Sequence, residues 1–266
     1  MPGNDPIALR DLLATIVREA GGLALATSKT PFKRWMKTGS SPVSEADIAV
    51  NDFLLKTLPP LAPDAGWLSE ETEDDFKRVD ARQVWVVDPI DGTRAFIEGR
   101  PDWTISVALV EEARPLAAAL YAPATDELYL ASHGGGATLN GARLKIGGGE
   151  ALPGARIAGP KSYLAKMSQV EARILPQPKV HSLALRLSRV ADGSLDIAFA
   201  SRNSHDWDLA AADLIVHEAG GTLTDFGGKV IAYNQRDPVH GALIATSPAR
   251  HAALIDLLRD RRHKFA

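Results

Sequence analysis

Apolar positions in the first part of the chain recur every three or four residues. Leu9, Leu12, Leu13, Ile16, Val17, Ala20, Leu23 and Ala24 do so between residues 7 and 27, which predicts an amphipathic helix with one stripe to cover. A second helix is predicted from Glu45 to about Leu58, with Ser44 as its N-cap and Asp47 one turn in. It turns Ile48, Val50, Phe53, Leu54 and Leu55 inward, and Pro59, Pro60 and Pro63 end it. The pattern then shortens. Val84 to Val87 reads as a buried strand, and Ile105 to Val110, Leu116 to Tyr121 and Glu127 to Ala131 as consecutive strands of an antiparallel sheet. Between the second helix and that strand, Gly66-Trp67-Leu68-Ser69 leads into Glu70-Glu71 and an acidic stretch to Asp80 that reads as exposed. The glycines at 147–149 and Pro153-Gly154 mark a boundary between residues 1–150 and 151–266. Beyond it, strands alternate with helices: Ala155 to Ala158, a helix at Leu183 to Ala191, Leu195 to Ala200, a helix at Trp207 to Ala219, Ala242 to Ala245, and a last helix at Ala249 to Arg259. Such alternation points to layered α/β or α+β stacking.

Composition narrows the chemistry. With 45% apolar and 24% charged residues among 266, the chain has the makeup of an ordinary globular protein. A formal charge of −3 gives no general pull toward nucleic acid or anionic membrane. The absence of cysteine excludes disulfides, thiolate metal sites and thiol nucleophiles, so any metal site is built from oxygen or nitrogen. Met1-Pro2-Gly3-Asn4-Asp5-Pro6 lacks the basic and apolar regions of a signal peptide, and no apolar run reaches the roughly 18–20 residues of a membrane span. A cytoplasmic location is the expectation.

The informative stretch is Asp88-Pro89-Ile90-Asp91-Gly92-Thr93, which follows the buried run. Asp, Pro and Gly also make an ordinary turn. Two carboxylates at the end of a buried strand repel one another, however, unless a cation sits between them, and a hard divalent ion is the simplest candidate. Asp88, the Ile90 carbonyl and Asp91 can converge across the stiff proline turn. Asp206 or Asp208 can cap the helix that begins near Trp207, yet an acid at that place is also a directed metal ligand. Glu70 supplies a further carboxylate, so Glu70, Asp88, Asp91 and Asp208 offer oxygen from three parts of the chain. Lys33, Arg34 and Lys37 read as a solvated edge or an anchor for an anionic substrate. Gly134-Gly135-Gly136 lacks the Gly-Lys-Ser/Thr of a phosphate loop and reads as a turn.

Asp88 to Thr93, Trp207-Asp208 followed after eleven residues by Gly220-Gly221, and Ser69-Glu70-Glu71 together resemble the signatures of the inositol monophosphatase superfamily, Mg²⁺-dependent and lithium-sensitive phosphomonoesterases. Order and spacing agree across nearly the whole chain, Gly136-Ala137 and Asn140-Gly141 included. The resemblance implies an α+β fold, a layered α-β-α-β-α sandwich. It also implies a set of roles. Glu70, Asp88 and the Ile90 carbonyl would hold one Mg²⁺, and Asp88, Asp91 and Asp208 a second, with Glu70 helping a third, weaker ion. Thr93 would orient the attacking water with Asp47 behind it, and the amides of Gly92 and Thr93 would receive phosphate.

The substrate is less legible. Arg94-Ala95-Phe96, where inositol-type members have Thr-Asn-Phe, resembles the CysQ-type 3′(2′),5′-bisphosphate nucleotidases, which act on 3′-phosphoadenosine 5′-phosphate, and also the histidinol-phosphatase branch. Gly66 to Glu71 and Ser41-Pro42-Val43-Ser44 resemble the CysQ type too. Arg186, with Lys161 and Lys179, would meet a second phosphate, unless these bases are merely exposed, and Ser182 opens a helix whose N-terminus would meet ribose or phosphate. The alternatives are an inositol-1-monophosphatase, a histidinol phosphatase, or an interaction role on the same fold with the transcription machinery. His205 is a possible substrate contact, whereas His217, late in its helix, is not expected to be catalytic. Trp103 and Trp207 read as core or pocket wall. Expected partners are a small phosphate ester and, as in many members of the superfamily, a second copy in a homodimer; no nucleic acid is expected.

Overall fold

The computed structural model describes residues 5–36, 42–147, 149 and 151–259. Residues 1–4, Lys37, residues 38–41, and Gly148 of the expected boundary lie outside them. Helix α1 spans Pro6–Ser28, capped by Asp5, whose carboxylate accepts the N–H groups of Ile7 and Ala8. A hairpin of β1 (Arg34–Met36) and β2 (Pro42–Ser44) leads to α2, Glu45–Thr57. Both helices bury most of the expected stripe; Ile48 and Phe53 are half-buried, and Leu12, Leu23 and Leu55 are exposed. These three flank the stripe at angles that the two-helix layer does not cover.

Seven strands then build the large sheet in chain order: β3 (Gly66–Ser69), β4 (Gln83–Asp91), β5 (Thr104–Glu111), β6 (Arg114–Ala122), β7 (Glu127–Ser132), β8 (Gly136–Leu139) and β9 (Ala142–Arg143). All neighbours are antiparallel except β3 and β4, which run parallel. A short helix α3, Thr93–Ile97, follows β4. The acidic stretch before β4 is not wholly exposed: Arg78 is buried, bonded to Asp74, Asn234 and the Gln235 carbonyl.

Beyond residue 155 come β10 (Arg156–Ala158), α4 (Lys161–Val170), β11 (Leu175–Pro176), α5 (Leu183–Ala191), β12 (Ile197–Ala200), β13 (Ser204–His205), α6 (Asp206–Glu218), β14 (Thr222–Asp225), β15 (Val239–His240), β16 (Leu243–Thr246) and α7 (Pro248–Leu258). The second sheet has the order β11-β10-β12-β16-β14.

Strand alternation sorts the layers. In β4 and β5, Trp85, Val87, Ile105, Val107 and Leu109 face α1 and α2, while Val84, Val86, Ala108 and Val110 face α5 and α6. The second sheet divides likewise: Ala158, Ala198, Ala200 and Ala245 face α5 and α6, and Ile157, Ile197, Phe199 and Ile244 face α4 and α7. The result is an α-β-α-β-α sandwich of α+β class. Helix α6 lies between two sheets, which is why Leu209 to Val216 is buried without interruption.

Candidate metal centre

The site forms where β4 loses register with its neighbour. Asp88 stands opposite Ser106 and Asp91 opposite Thr104, so three steps along β4 match two along β5. Such a bulge re-aims side chains at the end of a strand and is a place where proline costs no ladder hydrogen bond. The Ile90 N–H donates to Asp88 Oδ1 at 3.0 Å and closes the turn. Gly92 then takes φ +93°, and a Cβ there would meet the Ser182 nitrogen at 3.1 Å and the Asp102 carbonyl at 3.2 Å. Glycine serves here both for dihedral and for room.

Two helix N-termini brace the acids from outside. At α2 the Ser44 N–H and hydroxyl donate to Asp47 Oδ2 at 2.8 and 2.6 Å, and the Thr93 hydroxyl lies 3.0 Å from Asp47 Oδ1 and 3.1 Å from the Ile90 carbonyl. Burial pushes the Asp47 carboxyl up, against the hydrogen bonds from Ser44 and Thr93 that draw it down. At α5 the Ser182 hydroxyl and the Ala184 N–H donate to Asp91 Oδ2 at 2.6 and 2.7 Å, and the Leu183 N–H to Oδ1 at 3.2 Å. Asp208 arrives from the first turn of α6, its Oδ2 taking the His205 N–H at 2.6 Å.

Oxygen atoms of Asp88, Asp91 and Asp208 lie within 4.8 Å of one another. With Glu70 they line a cavity of about 370 Å³, shared with Pro42, Gly92, Thr93, Arg94, Lys179 and His181. Burial, then the charges of Glu70, Asp91 and Asp208, push the Asp88 carboxyl well above the carboxylate range. Burial and Asp208 push Asp91 up to about 7, despite the donors from α5. Clustered acids of this kind are stable as anions only around a cation. An all-oxygen donor set converging on one point fits a hard divalent ion such as Mg²⁺.

The inositol monophosphatase family model matches residues 9–263. The chain belongs to that family. It is 37% identical over 202 residues to the inositol-1-monophosphatase of Rhizobium meliloti, covering 73% of this chain and 75% of that one. To the Nus factor SuhB of Escherichia coli it is 30% identical over 254 residues, covering 91% and 92%. Among solved structures, an IMPase of Thermotoga maritima superposes with TM-score 0.84 at 26% identity over 96% of this chain and 98% of that chain. The suhB protein of Bartonella henselae superposes with 0.83 at 28% over 96% and 99%. The chain is therefore a Mg²⁺-dependent phosphoric monoester hydrolase on the layered sandwich fold of its family.

Ser182 was expected to open a helix end that meets substrate, and it does cap α5. It is fully buried and its hydroxyl donates to Asp91, so the side chain braces that carboxylate. Arg94 lies exposed at the cavity rim. Arg186 is not an exposed surface base: it is 8% exposed, its Nη1 donates to the Val180 carbonyl at 3.2 Å, and its buried Nε has no partner among the described residues. Together with Lys161 and Lys179 it lines a second cavity of about 580 Å³, and Lys179 lines the metal cavity as well. The glycine turn at 134–136 binds a carboxylate of the chain itself. Gly134 and Gly136 N–H groups donate to the two Glu218 oxygens at 2.8 Å each. His205 stacks on Trp207 at 4.4 Å, 3.8 Å from Asp208, and that contact raises its pKa against the effect of burial. Trp103 is core, packed edge-on against Phe96. Sequence reading missed Asp102 and His181, a pair 2.7 Å apart at the cavity wall; their separation of 79 residues left no local signal.

Proposed function

We propose that the preferred substrate is a phosphate monoester with a second anionic group, and that a nucleoside 3′,5′-bisphosphate such as 3′-phosphoadenosine 5′-phosphate, hydrolysed to AMP and phosphate, is the class that fits. The observation behind this reading is the buried Arg186, whose Nε has no partner among the described residues, lining with Lys161 a cavity that shares Lys179 with the metal site. A desolvated guanidinium with one carbonyl hydrogen bond is under-compensated, and an anion in that cavity would offset its charge.

In this reading Glu70, Asp88, the Ile90 carbonyl, Asp91 and Asp208 hold Mg²⁺, two or three ions when saturated. Mg²⁺ held there would supply an activated water and screen the anions, and lithium would inhibit by displacing a weakly held ion. Asp47 takes the Thr93 hydroxyl proton in a hydrogen bond, which leaves a Thr93 lone pair to receive a hydrogen of the attacking water and aim it. Gly92 and Thr93 amides and the Arg94 guanidinium meet the phosphoryl oxygens. Lys179, Lys161 and Arg186 then lie along the leaving group.

The second reading is inositol monophosphate hydrolysis, favoured by what several relatives are called. Phosphate release with Mg²⁺ from the bisphosphate, inositol 1-phosphate and histidinol phosphate separates them. The bisphosphate is expected to lead by about a hundredfold in kcat/KM, and Arg186→Met to lower its kcat/KM by roughly 10–100-fold, the worth of a charge-assisted hydrogen bond. Equal losses on the bisphosphate and a monophosphate would remove Arg186 from the substrate.

A further inference from the structure

His181 and Asp102 are joined twice. The His181 backbone N–H and ring Nδ1 both meet Asp102 Oδ2, at 2.8 and 2.7 Å. Asp102 is itself braced: its carbonyl accepts the Ser182 N–H at 3.0 Å and packs against Gly92, and Arg100 Nε lies 3.4 Å from its other oxygen. Although burial pushes the Asp102 carboxyl up, the His181 hydrogen bonds hold it below the ordinary carboxylate range. A carboxylate only accepts, so in the neutral form of the ring the hydrogen sits on Nδ1 and Nε2 presents a bare lone pair. Among the described residues Nε2 has no hydrogen-bond partner, and His181 lines the metal cavity.

What suits that lone pair follows from the rest of the wall. Phosphoryl oxygens are acceptors and find their donors in the Gly92 and Thr93 amides and Arg94; a lone pair would repel them. A hydroxyl can donate to it. Lys179, two residues before His181, lines both cavities, so this wall is where a leaving group passes from one to the other. We propose that His181 Nε2 accepts a hydrogen bond from a hydroxyl on the carbon next to the one bearing the phosphate ester, with Asp102 as the positioning residue that fixes the ring and its tautomer. A ribose 2′-hydroxyl beside a 3′-phosphate and a cyclitol hydroxyl beside a 1-phosphate share this chemistry. The inference rests on the phosphatase chemistry alone, and stands or falls apart from the bisphosphate reading.

The test uses the Mg²⁺-loaded enzyme and matched pairs of esters. These are 3′-phosphoadenosine 5′-phosphate with its 2′-deoxy counterpart, and inositol 1-phosphate with its 2-deoxy counterpart. For whichever pair is hydrolysed faster, the hydroxyl-bearing member is expected to lead by about tenfold in kcat/KM, the worth of one hydrogen bond. His181→Ala is expected to bring that ratio near one. Asp102→Asn, which can turn an amide N–H toward Nδ1 and move the ring hydrogen to Nε2, should lower the ratio although the ring remains. His181→Gln, whose amide oxygen can accept, should restore part of it. A ratio near one in the native enzyme, a ratio that His181→Ala leaves unchanged, or equal loss on both members, total loss included, overturns the proposal. The substrate panel and this ratio fail separately: an inositol preference defeats the bisphosphate reading and leaves the hydroxyl contact to be read on the cyclitol pair.

Discussion

Asp88→Asn is expected to lower kcat/KM by roughly three orders of magnitude while raising the stability of the metal-free protein. Both effects have one cause. Asp88 sits at the centre of the acid cluster, buried at the end of β4, with Glu70, Asp91 and Asp208 all pushing its carboxyl toward the neutral form. In the working enzyme that repulsion is what draws in the cation, and loss of one anionic ligand weakens metal binding and water activation together. Without metal it is a penalty. Asparagine keeps the oxygen that accepts the Ile90 N–H at 3.0 Å, so the bulge survives while one charge disappears. The gain is about 1–2 kcal/mol, or roughly 2–8 °C in Tm for a chain of this size. Initial rates and a thermal melt in chelator measure the two halves. An active variant would remove Asp88 from the metal, and a variant that melts lower without metal would mean that its carboxylate holds the bulge rather than straining it.

The layered fold was legible because the layers are written in strand alternation and in helix stripes, and in β4 to β7 these signals agree with the packing. Helix α4 was not legible: Lys161–Val170 buries only Tyr163 and Met167, too few apolar positions to show a period. Strand β14, four residues with two half-buried threonine and aspartate ends, was equally silent. In the site, Asp88, Asp91 and Asp208 were readable as acids at element ends, and their convergence followed from a spacing shared with a family. Ser182 was readable as an N-cap, but which carboxylate would find it depends on how α5 meets the β4 bulge, 91 residues away in the chain. Local rules name a helix end with donors to spare; only the packing says that Asp91 takes them. Glu218 filling the glycine turn, and Asp102 gripping His181, are the same kind of fact.

Metal and pH are expected to act on stability in opposition. The Asp91 carboxyl, at about 7 in the fold, binds a proton more tightly there than in the unfolded chain, where an ordinary aspartate titrates near about 3.9. Between those values the folded state carries more protons than the unfolded one. Stability of the metal-free protein therefore falls as pH rises through that window, with the penalty absent below about pH 4 and fully present above about pH 7. Asp88 and Asp47, also raised, add in the same sense, and so does His205, whose favourable contact with Asp208 is lost as it deprotonates. Mg²⁺ binds the deprotonated acids, so it restores stability where the penalty is largest. At a hundredfold excess over its dissociation constant at pH 8 it contributes about 2.7 kcal/mol, roughly 5–10 °C in Tm. At pH 5 protons already compete for Asp91 and Asp88, and the same Mg²⁺ concentration is expected to shift the melt by less than half as much. Melting curves at pH 5, 6, 7 and 8, in chelator and in Mg²⁺, read both slopes from one preparation. A Tm in chelator that climbs across this range, or a Mg²⁺ shift equal at pH 5 and pH 8, would mean that the cluster is ionised in the bare fold and that its charge is balanced by something other than protons.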